Sequence, residues 1–204
     1  QMQGFATDSG VFNVSGGKLS VTATSNSGDA ASVFDAGVLP IYFELQASVS
    51  VTKPTAGWKA NAYLIFDYQG PNDFKFAGID VSTSKLVIGH RNASGWSVVQ
   101  QGSVQGGLKH GTNYNLLVAA NGTTVTVLVD GKNTLTYTFS ARVLDGVSYA
   151  LNYGYVGVGS DKSRGVFDDV RVQQLPPAVT YQSTSAFASS AAPVFGGSTA
   201  GSWS

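Results

Sequence analysis

YNLLVAANGTTVTVLVDGKNTLTYTF, residues 114–139, reads as three strands joined by two tight turns. Asn121-Gly122 and Asp130-Gly131 are dipeptides that supply the positive φ angles of short hairpins. Between them Val125, Val127 and Val129 alternate with Thr124 and Thr126, while Leu135, Tyr137 and Phe139 alternate with Thr134, Thr136 and Thr138. A period of two turns one set of side chains into a core and the other toward water. This is an antiparallel meander, and it makes the class all-β.

The same alternation extends outward from the meander. Over residues 41–51, Ile41, Phe43, Leu45, Ala47, Val49 and Val51 face one way, and Tyr42, Glu44, Gln46, Ser48 and Ser50 the other. Further strands are predicted at 18–24, 32–34, 61–68, 74–81, 85–91, 96–104, 156–159 and 166–173. Residues 141–151 are read as a short helical turn. Leu175-Pro176-Pro177 stops the last strand, because proline lacks the ladder donor. The expected organisation is a sandwich over residues 1–175 and a Pro/Ser/Ala/Gly-rich extension over 176–204. Val179, Tyr181, Val194, Phe195 and Trp203 are that tail's candidate anchors. Its Phe195…Trp203 spacing echoes Phe5…Phe12, as the opening of a next repeat does.

Composition narrows the function. Charged residues are 12% of 204, about half the usual share, and the formal net charge is zero. Nucleic acid needs a clustered cationic surplus and is not an expected partner. The absence of cysteine removes disulfides and thiolate chemistry. No apolar run approaches the ~18 residues of a membrane span.

In order along the chain, five segments resemble the concanavalin A-like lectin/glucanase superfamily, in its bacterial laminin G-like branch. They are AYLIFDYQGPNDFKFAGID (62–80), GTNYNLLV (111–118), VLVDGK (127–132), GYVGVG (154–159) and GVFDDVRV (165–172). The resemblance covers about residues 12–173. It implies a two-sheet antiparallel jelly roll with one concave sheet. It also implies an extracellular or cell-surface setting, as a repeat module of large secreted bacterial proteins. Such modules bind glycans or proteins, act as spacers, or hydrolyse polysaccharides.

The hydrolytic branch carries paired carboxylates on one strand, about 5.5 Å apart, for displacement at the anomeric carbon. Here Glu44 is the single glutamate, flanked on its face by Tyr42 and Gln46, so the motif is missing and a non-catalytic role is expected. An aspartate pair assembled from distant strands is the remaining catalytic route. His90 and His110 lie at a strand end and in a turn, with no nucleophile elbow beside them.

Three candidate sites remain. Asp67-Tyr68-Gln69-Gly70-Pro71-Asn72-Asp73 joins carboxylates, an amide and a ring, the mixture that sugars need. Asp67, Tyr68, Asn72, Asp73 and Trp96 are the glycan candidates. A plain Gly-Pro-Asn-Asp turn is the alternative. Trp58 is a further possible plate. The resemblance implies a structural Ca2+ at the closing-strand Asp168 and Asp169, held with backbone carbonyls. Strand parity places Asp168 inward and Phe167 outward there, a conflict that a bulge resolves. The expected partners are a glycan, through adhesion, or neighbouring copies of the chain in a fibre assembled through the tail.

Overall fold

The computed structural model describes residues 4–25 and 28–174. They form β1 (Phe5–Ser9), β2 (Val11–Ser15), β3 (Lys18–Thr22), β4 (Asp29–Phe34), β5 (Tyr42–Val51), β6 (Asn61–Gly70), β7 (Asp73–Asp80) and β8 (Lys85–Asn92). There follow β9 (Gly95–Ser103), β10 (Tyr114–Asn121), β11 (Thr124–Val129), β12 (Asn133–Thr138), β13 (Arg142–Leu144), β14 (Val147–Tyr149), β15 (Tyr155–Asp161) and β16 (Arg164–Gln173). One seven-stranded sheet runs β1-β4-β15-β6-β7-β8-β9 and the other β12-β11-β10-β5-β16-β3-β2; β13 and β14 make a separate hairpin. All pairings are antiparallel. This is the all-β two-sheet jelly-roll sandwich expected from the sequence.

The core follows from alternation. β5, β10 and β11 turn Phe43, Leu45, Ala47, Val49, Leu116, Val118, Val125 and Val127 inward. They meet Ala62, Leu64, Phe66, Ala77, Ile79, Leu86 and Ile88 of the facing sheet. That facing sheet is also apolar on its other side. Ala31, Val33, Ile65 and Phe74 form one cluster there, and Tyr63, Phe76 and Val87 another. Trp96 packs on both.

The sheet buries this second surface by curling on itself. β9 and β15 are four ladder steps apart, about 19 Å in a flat sheet. Yet Trp96 of β9 lies 3.5 Å from where a side chain on Gly159 would begin. Arg91 of β8 likewise reaches Asp29 of β4, Nε to Oδ2 3.0 Å. The concavity is therefore filled by the protein's own rings.

Several details differ from the sequence reading. β10 and β11 pair Asn121 with Thr124, so the turn residues are Gly122 and Thr123, and only Gly122 has positive φ. That pattern suits a II′ turn. Asp130-Gly131 behaves as read, with both φ angles positive. Ile41 precedes β5 and is 62% exposed, outside the inward row assigned to it. Residues 141–151 hold the β13–β14 hairpin in place of a helical turn. Its Asp145-Gly146 turn, both φ positive, was legible as a hairpin signal. The β16 bulge is present: register shifts between Asp168 and Arg171, Asp169 takes φ +51°, and Phe167 is buried. Among the described residues no helix is long and apolar enough to cross a membrane. The tail anchors Val179, Tyr181, Val194, Phe195 and Trp203 lie outside the described residues.

Candidate functional site

Two irregularities at one end of the curled sheet build an open cleft. In β6 the register to β7 shifts between Phe66 and Gly70, with Asp67 at φ +48°. The β15–β6 register shifts between Tyr155 and Gly157, leaving Tyr155 beside Tyr68. Gly154, at φ +106°, lets the chain pass there; a Cβ at that position would stand 2.5 Å from the Tyr68 carbonyl oxygen. The Gln69 amide ties the two segments, donating to Tyr153 O at 2.7 Å. Asn152 Nδ2 donates to Leu39 O at 2.7 Å and fixes the β4–β5 connection alongside.

The resulting cleft holds about 710 Å³ and is lined by Tyr68, Tyr149, Tyr153 and Tyr155 with Asp35, Gln69 and Asn152. The Tyr149 and Tyr153 ring centroids are 4.8 Å apart. Tyr153 and Tyr155 are 45% and 46% exposed, large values for rings. Tyr68 stacks on Phe74 at 5.4 Å. Burial, then the charge and hydrogen bond of Asp8, push the Tyr68 hydroxyl up to about 12, so it remains a neutral donor and acceptor. Rings flanked by amide and carboxylate groups can cover a sugar's apolar face and bind its hydroxyls.

The other sequence candidates fall elsewhere. Asp67 is buried at 1% exposure, so it does not face solvent as a ligand contact in a turn does. Its Oδ2 meets Lys75 Nζ at 2.5 Å and Arg142 Nη2 at 3.2 Å. Asp73 takes the rest of the Arg142 fork, at 2.7 and 2.8 Å. That hydrogen bond holds the Asp73 carboxyl below its ordinary range. Asn72 lines a neighbouring cleft with Asp8, Pro71 and Phe74. Trp96 packs among Tyr63, Phe74 and Phe76 with centroids 4.8–5.4 Å away, and its Nε1 is buried with no hydrogen-bond partner among the described residues. Trp58 lies under the Arg164 guanidinium at 4.3 Å.

Asp29 and Asp161 are register partners that border a third cleft beside Trp96. Both carboxylates already hold a cation: Asp161 binds Lys59 at 2.5 Å and Asp29 binds Arg91 at 3.0 Å. Glu44 accepts from the Tyr42 hydroxyl at 2.7 Å and from Gln46 at 3.4 Å. Asp168 accepts the Asp169 N–H at 3.0 Å, and Asp169 lies 3.8 Å from Arg171. Among the described residues no group of three or more His, Asp or Glu gathers as a metal set. A cation at Asp168 would therefore draw mainly on backbone carbonyls and water.

Tyr149, Asn152, Tyr153, Tyr155 and Asp35 were not singled out from the sequence. The signal was the run YALNYGY at 149–155, three tyrosines in seven residues just before a strand.

No protein-family model and no curated protein matches the chain. Solved structures do match in shape. A carbohydrate-binding module, CBM66 of Bacillus subtilis, is 16% identical with TM-score 0.68, covering 84% of this chain and 96% of its own. The VIP36 exoplasmic/lumenal domain in its Ca2+/Man3GlcNAc-bound form is 11% identical with TM-score 0.60, covering 86% and 84%. The Emp47p carbohydrate recognition domain is 12% identical with TM-score 0.57, covering 84% and 89%. The chain thus shares its two-sheet jelly-roll fold with these domains.

Proposed function

We propose that this is a non-catalytic carbohydrate-binding module of an extracellular or cell-surface protein, binding glycan in the tyrosine cleft. The carrying observation is four tyrosine rings around one open cleft, two of them nearly half exposed, with amide and carboxylate groups at the rim. The carbohydrate-binding neighbours in fold support the ligand class. A non-catalytic role is supported by the isolation of Glu44 from other carboxylates on its strand and by the cations on Asp29 and Asp161. Glycan-array binding that is lost in Tyr153→Ala and Tyr155→Ala, with the fold retained, is the expected result. A broad array without signal, or release of reducing ends from a polysaccharide, counts against the reading.

A Ca2+ ion belongs to the proposal as well, since the VIP36 neighbour is a Ca2+-bound form. Chelation is expected to lower the melting temperature, and to lower it less in Asp168→Asn.

A second reading is assembly with neighbouring copies, with the laminin G-like module as one repeat of an array or fibre. The observation favouring it is the sheet edge β2, where Val11 and Val14 are 60% and 40% exposed. Unpaired edge strands accept further strands.

A further inference from the structure

We infer that the tyrosine cleft selects a sugar bearing a free, protonated amine over its N-acetylated or acidic counterparts. This rests on the glycan reading of the same cleft and names the class of sugar within it.

The π-faces of aromatic rings attract cations, most strongly where several rings surround one position. Four tyrosines line this cleft, and among the described residues lining it Asp35 is the one that is charged. Asp35 is exposed at the rim, and its Oδ1 accepts the Gly37 N–H at 2.8 Å, which orients the carboxylate.

The nearby cations do not offset this. Arg142 pairs with Tyr149 across the β13–β14 hairpin, yet its guanidinium is engaged by Asp73 and Asp67. Lys75 lies on the same Asp67. These two cations and two carboxylates cancel as a group. Asp8, which lines the neighbouring cleft, adds a further negative charge near the Tyr68 hydroxyl and helps to raise its pKa. The Asn152 and Gln69 amides each direct an N–H to a backbone carbonyl and hold the walls in place. Among the described residues lining the cleft, a uronate or sulfate meets the Asp35 carboxylate and no guanidinium or ammonium. A 2-amino sugar brings an ammonium that rings and Asp35 both favour, while N-acetylation removes that charge.

The test is calorimetric titration of the full chain with glucosamine, N-acetylglucosamine and uronate oligomers of equal length. In mildly acidic buffer the amine oligomer is expected to bind about tenfold tighter than the N-acetylated one, the scale of a partly exposed cation–π contact plus one carboxylate. The ratio should shrink in Asp35→Asn and in alkaline buffer, where the sugar amine is neutral. Thr136→Ala, on the far sheet, should leave it unchanged. Equal or tighter binding of the N-acetylated oligomer overturns amine selection while leaving the glycan reading standing. So does a ratio that persists in Asp35→Asn. Failure of all three oligomers and of a broad array overturns both.

Discussion

Arg142 illustrates how much one side chain can organise. It receives Asp73 bidentately and Asp67 from the side, and so ties the β13–β14 hairpin to the β6–β7 turn beside the tyrosine cleft. Only the planar guanidinium fork makes that set of contacts, so lysine is no substitute. Arg142→Ala leaves the buried Asp67 with Lys75 and the Gln69 amide, and without its second cation. A loss of about 1–3 kcal/mol is expected in urea denaturation, as for a buried charge deprived of a partner. Asp73 adds a pH signature. Its folded pKa lies below the ordinary 3.8, so its contribution is present above that value and is lost as pH falls through the lower, folded one. Acid unfolding curves of the wild type and Asp73→Asn should therefore differ near neutrality and converge at low pH. Sequence alone could not separate the two aspartates. Asp67 becomes a buried ion-pair centre only because Arg142, 75 residues later, folds onto it.

At the scale of elements, β15 and β16 carry the irregular geometry. Gly159 in β15 is the floor on which Ile65 and Trp96 lie; a Cβ there would stand 2.5 Å from Ala30 O and 2.8 Å from Ile65 Cδ1. Gly159→Val should cost about 1–3 kcal/mol by overpacking and shift Trp96 fluorescence as the ring is displaced. An unshifted emission spectrum would show that the ring does not rest on this glycine. In β16 the bulge puts Asp169 at φ +51°, a region that favours glycine and tolerates aspartate. Asp169→Val is expected to lose about 1–2 kcal/mol relative to Asp169→Gly, read from denaturation midpoints. This bulge was legible because local alternation contradicted itself: Phe167 and Val170 could not both face inward without an extra residue between them. Long strands were legible for the same reason, since their burial is periodic. β1 and β2 were not. Their exposure patterns carry no alternation, and only pairing with β4 and β3 makes them strands. The tyrosine cleft is not legible in the sequence because its rings come from β6, β14, the β14–β15 connection and the start of β15, which curvature brings together.

For the whole molecule, the decisive question is what residues 176–204 contribute. Among the described residues the fully buried members of the main core lie between Leu19 and Phe167, with Phe5, Phe12, Val170 and Val172 packed against them, and β16 ends at Gln173. A chain ending at residue 174 keeps the inter-sheet packing of the described residues, and it is expected to unfold in one cooperative step at a midpoint close to that of the full chain. The tail's apolar residues would then act outside the sandwich. β2 is the edge best suited to receive them: among the described residues it is paired on one side, to β3, and it displays Val11 and Val14. Strand addition there would supply main-chain hydrogen bonds along the ladder, with alternate side chains of the incoming segment setting its register. On the assembly reading proposed above, sedimentation velocity is expected to show association of the full chain and a monomer for the truncated one. A proline placed at Asn13 should likewise abolish association of the full chain, since a blocked donor interrupts the edge. Association that survives truncation would move the contact from the tail to the sandwich surface, and the exposed Val143, Leu144 and Val147 of the β13–β14 hairpin would be the next residues to change.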